Sequence, residues 1–166
     1  MVTEPDTQLS GLAVQVAQAL TVRHWMVATV ESCTGGWVAQ TLTAISGSSA
    51  WFDRGLVTYS NESKQDLVGV RDDTLERFGA VSEETAREMA AGLLAESRAQ
   101  ATLAITGVAG PTGGTPEKPV GMVCFAWAIG DDTVETRTQH FKGDREAIRR
   151  QAVIAALQGL LSRLPD

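Results

Sequence analysis

The sequence predicts an α/β fold: a three-layer α/β/α sandwich around a mixed, mostly parallel sheet, with an antiparallel hairpin near the C-terminal half. Over the first 106 residues, segments with helical spacing of apolar residues alternate with short apolar runs, a pattern typical of parallel strands covered by helices. After residue 120, two strand patterns follow each other across a short turn, which is typical of a hairpin. The chain has the length of one domain and shows no internal linker, so residues 1–166 are interpreted as a single domain with a loose tail at 1–6.

The first half of the chain is predicted to alternate helices with strands. Apolar residues that recur every three or four positions indicate the helices, and short apolar runs ended by polar residues or glycines indicate the strands. Asn61 is expected to cap the third helix, because its side chain can accept from the free amides of a first turn. In chain order the elements are a helix at 9–22, a strand at 26–30, a helix at 37–46, a strand at 51–59 and a helix that starts at 61–64.

The second half is predicted to end in the hairpin and a last helix. Gly79 is expected to end a short helix, and Ser82 to cap the long helix that follows. Residues 130–132 are interpreted as the hairpin turn, and the alternation after them is typical of an edge strand. In chain order the elements are helices at 73–78 and 83–99, a strand at 102–106, a loop at 107–119, strands at 120–129 and 133–141, and an amphipathic helix from 143–144 to about 164.

Composition excludes several functional classes. The chain carries 14 Lys and Arg against 20 Asp and Glu, a net charge of −6, and no basic run, so nucleic-acid binding is not expected. No apolar stretch approaches the roughly 20 residues that span a bilayer, and the acidic, polar start is not typical of a signal peptide. Two cysteines and two histidines predict neither a disulfide framework nor a His-rich metal site. We therefore expect a cytoplasmic protein.

A polar turn with two glycines follows the first strand and leads into a helix. Ser32 lies where a nucleophile would lie, and the amides at 33–36 are placed to hold an anion or a developing oxyanion. The same residues are equally typical of a plain helix cap, since strand–turn–helix junctions are rich in Ser, Thr and Gly. The turn reads Glu31-Ser32-Cys33-Thr34-Gly35-Gly36.

Cys33 is an alternative nucleophile beside Ser32. A thiolate needs a lowered pKa, from a helix N-terminus or a neighbouring cation, and Glu31 acts in the opposite direction. A thiol that lines the core or the pocket fits the sequence better. Cys124, within an apolar strand, is interpreted as a small hydrophobic residue.

Lys64 and Tyr59 follow the second strand and offer a base for the serine. A serine hydroxyl becomes nucleophilic when a base takes its proton, and neither histidine lies in a recognisable pattern with an Asp. A neutral lysine can serve, but a helix N-terminus shifts its pKa by less than about one unit, so burial has to supply the rest. Without that burial Lys64 is a solvated surface charge near Glu62 and Asp66.

A glycine-rich loop at 106–114 is the third candidate. It lacks the Lys-Ser/Thr of a phosphate-binding Walker loop and the helix of a dinucleotide fingerprint. Its glycines allow backbone amides to approach a ligand, although a plain connection has the same composition. Arg145, at the start of the last helix, is a candidate phosphate contact; the spacing of Arg145, Arg149 and Arg150 is otherwise typical of a solvated face.

Taken together, these motifs resemble the bacterial nicotinamide-nucleotide amidases, the stand-alone form of the C-terminal domain of CinA proteins. The resemblance runs from about residue 8 to 162 and depends on seven motifs in order. They are ESCTGG at 31–36, GSS at 47–49, VTYSN at 57–61 with Lys64, GAVS at 79–82, TGVAGP at 106–111 with Gly113 and Gly114, KPVG at 118–121 and FKGDR at 141–145.

The resemblance implies hydrolysis of the carboxamide of nicotinamide mononucleotide to nicotinate mononucleotide and ammonia. It implies Ser32 as the nucleophile, Lys64 as the general base and Tyr59 as an assisting hydroxyl, with no metal or organic cofactor. It also implies a homodimer, for which the hydrophobic edge around 51–57 is a candidate interface. The residues expected to bind substrate are Cys33, Thr34, Gly35, Gly36, Gly107, Ala109, Gly110 and Arg145.

Three alternatives stay open at this point. One is a pyridine-nucleotide-binding module without catalysis, with a role in competence or damage response. Another is a hydrolase that depends on Cys33. The third is the same machinery acting on a different amide, because the motifs specify the reacting groups better than they specify the substrate.

Overall fold

Five strands form one mixed sheet in the computed structural model, which describes residues 6–131 and 133–166. The strands are β1 (Val27–Glu31), β2 (Phe52–Val57), β3 (Ala101–Gly107), β4 (Met122–Ile129) and β5 (Thr133–His140). Their order in the sheet is β2-β1-β3-β4-β5. β1 pairs in parallel with both β2 and β3, whereas β4 is antiparallel to β3 and β5. Four of the five strands therefore point the same way, and the predicted mixed sheet with a C-terminal hairpin is confirmed.

In the part of the chain that the structure describes, six helices cover the two faces of the sheet. They are α1 (Thr7–Arg23), α2 (Trp37–Thr43), α3 (Asn61–Val68), α4 (Asp72–Phe78), α5 (Glu83–Glu96) and α6 (Arg145–Leu161). One hydrophobic core joins α1, α2 and α6 to one face, and a second joins α3, α4 and α5 to the other. The three predicted layers are thus confirmed.

The alternation of side chains along β4 shows why the two cores differ. Phe125 and Trp127 belong to the core beneath α6, whereas Cys124, Ala126 and Ala128 belong to the core beneath α5. Successive side chains of a strand point to opposite faces, so one strand supplies large residues to one layer and small residues to the other. The small residues leave room for the long α5 helix on its side of the sheet.

Several predicted helix ends are confirmed, and one is wrong. Ser82 accepts from the Thr85 amide at 3.1 Å and caps α5, and Gly79 ends α4. The predicted Asn61 cap is incorrect: the Ser60 side chain caps α3, accepting from the Ser63 amide at 3.1 Å, while the Ser63 hydroxyl accepts from the Ser60 amide at 3.1 Å. An N-cap residue keeps an extended backbone, which Ser60 has, and Asn61 is already helical.

The predicted loose tail at 1–6 is corrected at Asp6. Its carboxylate caps α1 by accepting from the Leu9 amide at 3.2 Å, and it pairs with Arg150 at 2.6 Å. The Arg150 hydrogen bond holds the pKa of Asp6 down at about 2. The rest of the predicted tail, 1–5, lies outside the described residues, as does position 132 of the hairpin turn.

The second strand is shorter than predicted. Trp51 follows a 3-10 turn at Ser48–Ala50, and Thr58 lies just beyond β2, although its amide still donates to Glu31 O at 2.9 Å. β2 lies at one edge of the sheet and β5 at the other, as predicted for the last strand. Within the described residues, no helix is both long and apolar enough to cross a membrane.

Candidate active site

A pocket of about 310 Å³ lies at the carboxyl ends of β1 and β3. Ser32 follows β1 directly, and Thr106 and Gly107 end β3, so the parallel pairing of these strands brings both segments to one edge of the sheet. Ligands of α/β proteins bind at this edge. The pocket is lined by Ser32, Cys33, Tyr59, Asn61, Lys64, Ala80, Val81, Thr106, Gly107, Val108, Ala109, Gly110, Thr112, Gly113 and Arg145.

Ser32 and Lys64 form a hydrogen-bonded pair in this pocket. The distance from Lys64 Nζ to Ser32 Oγ is 3.2 Å, and Nζ also donates to the Thr58 carbonyl at 2.6 Å. Lys64 comes from the first turn of α3, and only 1% of it is exposed, so the alternative of a solvated surface lysine is wrong. Burial lowers the pKa of Lys64 from its ordinary value of 10.5, because desolvation penalises the ammonium form.

Glu31 organises the turn that carries Ser32. Its carboxylate is fully buried and accepts from the Thr34 hydroxyl at 2.6 Å, from the Val38 amide at 2.9 Å and from the Ala39 amide at 3.1 Å. The protein's own carboxylate therefore occupies the amides at the start of α2. The sequence analysis did not predict that Glu31 binds the amides of α2, although a carboxylate before a helix start is a usual partner for its free amides.

Arg149 reaches the same turn from α6. Its Nε donates to Cys33 O at 3.0 Å and its Nη2 donates to Thr34 O at 3.1 Å, while the guanidinium lies 5.4 Å from the centre of the Trp37 ring. The prediction of a solvated arginine face on this helix is therefore wrong for Arg149. Helical spacing indicates which residues share a face, but it carries no signal of a partner 116 positions earlier in the chain.

Tyr59 and Arg145 meet at the mouth of the pocket. Arg145 donates to the Tyr59 hydroxyl at 3.1 Å and to the Gly110 carbonyl at 2.8 Å. Tyr59 is 62% exposed, and within the described residues no hydrogen bond joins its hydroxyl to Ser32 or Lys64. Arg145 therefore ties the glycine-rich loop to the segment after β2.

The predicted substrate-binding residues divide into two groups. Thr34, Gly35 and Gly36 do not line the pocket. The Thr34 hydroxyl donates to Glu31, the Gly35 amide donates to Ser32 O at 3.0 Å, and Gly36 is the N-cap of α2. The predicted residues that do line it are Cys33, Gly107, Ala109, Gly110 and Arg145.

Cys33 is buried, with 6% of the residue exposed. Burial raises the pKa of its thiol to about 12, and the negative charge of Glu31 adds to that effect. At neutral pH the side chain is therefore a thiol rather than the thiolate that attacks a carbonyl carbon. Its amide, by contrast, has no hydrogen-bond acceptor within residues 6–131 and 133–166.

Three larger pockets lie elsewhere, of about 510 Å³ beside α5, about 690 Å³ between β5 and α6 and about 420 Å³ between α5 and the start of β5. In none of them does a lysine donate to a serine hydroxyl within the described part of the chain. The same part of the chain holds no group of three His, Cys, Asp or Glu side chains placed to bind a metal ion. The Ser32–Lys64 pocket is thus where reactive groups converge.

The fold and this pocket define a class: a three-layer α/β/α protein with a serine–lysine pair at the carboxyl ends of its parallel strands. The chain belongs to the CinA C-terminal domain family, whose family model matches residues 9–164. This confirms the family that the motifs indicate.

Relatives and solved structures agree with this membership. The chain is 55% identical to the nicotinamide-nucleotide amidohydrolase PncC of Escherichia coli strain K12, over 93% of this chain and 94% of that protein. It is 48% identical to the protein of the same name from Pseudomonas putida, over 92% and 95%. The crystal structure of competence/damage inducible protein CihA from Agrobacterium tumefaciens superposes with a TM-score of 0.92, at 44% identity and 98% coverage of both chains.

Proposed function

We propose that this chain hydrolyses the carboxamide of nicotinamide mononucleotide to nicotinate mononucleotide and ammonia. The observation that carries the proposal is the buried Lys64 Nζ within 3.2 Å of Ser32 Oγ, in a pocket at the carboxyl ends of parallel strands. The substrate class follows the names of the relatives from Escherichia coli and Pseudomonas putida, both nicotinamide-nucleotide amidohydrolases.

In the proposed reaction Lys64 acts as base and then as acid. Neutral Lys64 takes the proton of Ser32 as Oγ forms a bond to the amide carbon. Lys64 returns that proton to the amide nitrogen, the C–N bond breaks, and ammonia leaves an ester on Ser32. Water then gives a proton to Lys64 and attacks the ester carbon. The C–O bond to Ser32 breaks, Oγ regains its proton, and nicotinate mononucleotide leaves.

The burial of Lys64 supports its role as the base. An exposed lysine is almost entirely protonated at neutral pH, whereas desolvation favours the neutral amine. The Thr58 carbonyl fixes the position of Nζ through a 2.6 Å hydrogen bond. The proton acceptor is therefore held in place before substrate binds.

The oxyanion of the tetrahedral intermediate needs donors that are free before the reaction. The Cys33 amide follows the nucleophile directly and has no acceptor in the described part of the chain, as is also true of the Ala109 and Gly110 amides. We assign the oxyanion to Cys33 N–H and to an amide of the glycine-rich loop. The amides of Val38 and Ala39 are excluded from this role, because Glu31 already holds them.

The mouth of the pocket is proposed to hold the rest of the nucleotide. Arg145 lies there beside the glycine-rich loop, whose Ala109 and Gly110 amides have no acceptor in the described part of the chain, so this side suits a phosphate. Tyr59 keeps the assisting role that the resemblance implies only if its hydroxyl exchanges Arg145 for the Ser32–Lys64 pair. The scheme requires neither a metal nor an organic cofactor.

A homodimer is also proposed, with the open edge of β2 as the interface. β2 ends the sheet, and Val57 at its end is 45% exposed. Light scattering that gives twice the mass of one chain would support the dimer. A mass of one chain for Val57→Glu would support an interface at this edge.

The test of the function is ammonia release from nicotinamide mononucleotide by the wild type and by Ser32→Ala. We expect release by the wild type and a loss of about 10³-fold or more in the variant, because the nucleophile is gone. Ser10→Ala, an exposed position on α1, is the matched control and should leave the rate unchanged.

The other outcomes discriminate between the alternatives. Binding of the nucleotide without release of ammonia by the wild type would favour a binding module without catalysis. Equal release by the wild type and Ser32→Ala would remove Ser32 as the nucleophile and favour Cys33.

A further inference from the structure

Two charged side chains outside the pocket hold the turn that carries the nucleophile. Arg149 donates to two consecutive carbonyls of this turn, Cys33 O at 3.0 Å and Thr34 O at 3.1 Å. Glu31 accepts from the Thr34 hydroxyl on the other side. Neither Arg149 nor Glu31 lines the pocket, so neither touches a molecule bound there.

Glu31 is costly to bury, and its hydrogen bonds offset that cost. A buried carboxylate is tolerated where donors surround it, and Glu31 has three, one hydroxyl and two amides. Thr34 connects the two charges, because its hydroxyl donates to Glu31 while its carbonyl accepts from Arg149. The carboxylate, Thr34 and the guanidinium thus form one continuous network, which we call the turn clamp (Glu31, Thr34 and Arg149).

The turn needs such support because its backbone is unusual. Gly35 and Gly36 have φ values of +59° and +98°, which glycine adopts readily and which make the segment intrinsically flexible. Arg149 Nη2 lies 3.4 Å from the position of a Cβ on Gly35, so the guanidinium packs against this part of the turn. The carbonyl of one residue and the amide of the next form a single peptide unit, so holding Thr34 O also orients the Gly35 amide. That amide donates to Ser32 O at 3.0 Å, and Ser32 O shares its peptide unit with the Cys33 amide.

We propose that the turn clamp is a positioning device for the proposed reaction, with Arg149 and Glu31 as positioning residues that act through the backbone of Ser32 and Cys33. The clamp keeps Ser32 Oγ at Lys64 Nζ and keeps the Cys33 amide oriented for the oxyanion. This inference rests on the proposed function, since it assigns Ser32 and Cys33 N–H the roles given above.

The test compares Arg149→Ala with Arg150→Ala. Both remove one arginine from α6, but Arg150 pairs with Asp6, away from the turn. We expect kcat for nicotinamide mononucleotide to fall about 30-fold or more in Arg149→Ala with KM within about threefold, because misplacement of a reacting group by about 1 Å costs on the order of 10²-fold. Arg150→Ala should keep kcat within about twofold, although it also loses a hydrogen-bonded ion pair.

Conservative variants separate positioning from general stability. Arg149→Lys keeps the charge but not the two-pronged contact, so its kcat should lie between those of the wild type and Arg149→Ala. Glu31→Gln keeps the shape of the side chain, but its amide nitrogen cannot accept from a backbone N–H, and kcat should fall with KM nearly unchanged. Urea unfolding of each variant gives the folded fraction by which every rate is corrected.

A second readout makes the test independent of the nucleotide. The rate at which p-nitrophenyl acetate acylates Ser32, followed by intact mass, should fall in Arg149→Ala and not in Arg150→Ala. Equal corrected rates for Arg149→Ala and Arg150→Ala would overturn the clamp, as would a loss confined to KM. If Arg149→Ala does not fold, Arg149→Lys is used in its place. A kcat of Arg149→Lys equal to that of the wild type would then overturn the proposal.

Failure of the proposed function gives a different result. If p-nitrophenyl acetate acylates Ser32 in the wild type but nicotinamide mononucleotide releases no ammonia, the proposed substrate is wrong. The acylation rates of the variants then still test the turn clamp. A wild type that shows neither activity overturns both.

Discussion

The two sides of the pocket are built differently. On the nucleophile side, Ser32 and Lys64 are held by buried groups, and Glu31 lies beneath them without exposure to solvent. On the mouth side, Tyr59 is mostly exposed and is held to the glycine-rich loop through Arg145. The groups proposed to react are thus held from within the core, whereas the contacts proposed for the nucleotide lie in a region with fewer constraints.

The same contrast appears in the electrostatics. The nucleophile side contains an amine whose pKa is lowered by burial and a thiol whose pKa is raised to about 12 by burial. Arg145, at the mouth, is exposed to solvent. Variants that remove a proposed reacting group from the first side should therefore lower kcat, and variants on the second side should change KM.

The largest effect is expected from Lys64→Met. It removes the proposed base, so kcat should fall about 10³-fold or more. The free energy of unfolding at pH 7 should rise by about 1 kcal/mol, because the buried amine gives way to an apolar side chain of similar length. Ammonia release measures the rate, and urea unfolding measures the stability. A variant that keeps activity would contradict Lys64 as the base, and a destabilised variant would contradict the cost of burying its amine.

The pH dependence of kcat/KM and of stability tests the role proposed for Lys64. Since the pKa of Lys64 is lowered, its active neutral form increases as the pH rises, and kcat/KM should rise to a plateau with a midpoint below 10.5. The unfolded chain binds a proton that the folded chain has lost between the lowered pKa and 10.5, so the wild type should gain stability as pH rises through that window.

Lys64→Met serves as the control for this pH dependence, and its unfolding free energy should lack the gain. A wild-type kcat/KM that falls as the pH rises from 6 to 10 would argue against Lys64 as the base.

Arg145→Ala tests the mouth side. Loss of a charge-assisted contact to phosphate should raise KM about tenfold and leave kcat within about threefold, because such a hydrogen bond contributes about 1.5–3 kcal/mol. Arg77→Ala, an exposed arginine of α4, is the control. A fall in kcat at constant KM would instead show that Arg145 acts on the reacting groups, and the two sides would no longer be distinct.

The smallest effect on rate is expected from Cys33→Ala. Burial raises the pKa of this thiol to about 12, which argues against Cys33 as the nucleophile, so ammonia release should stay within about threefold of the wild type. Truncation of a buried side chain should cost about 1 kcal/mol of stability. Loss of activity as large as in Ser32→Ala would reverse the assignment and make the thiol the attacking group.

Local patterns predict much of this molecule. Apolar runs and glycines predict the β1–turn–α2 unit and the final hairpin, because those signals depend on neighbours in the chain. The Ser60 cap is missed by one residue, since the choice between Ser60 and Asn61 depends on where the backbone becomes helical.

Contacts between distant segments are where sequence reasoning fails. Lys64 sits among polar residues at a helix start, and nothing local indicates that 1% of it is exposed. Arg149 repeats with Arg145 and Arg150 in a pattern typical of a solvated face, yet each has a different partner. Glu31 and Arg149 become recognisable as a pair only when α2 and α6 pack on the same side of the sheet.

The order of the segments along the chain has a consequence for biosynthesis. The Ser32 amide bonds to Ile105 O, and the turn that carries Ser32 is held by Arg149, 116 residues after Cys33. The first turns of α6 therefore have to leave the ribosome before this turn can make all its contacts. A nascent chain stalled after β4 would carry Ser32 and Lys64 without Arg149, so the turn would still lack its contacts to α6.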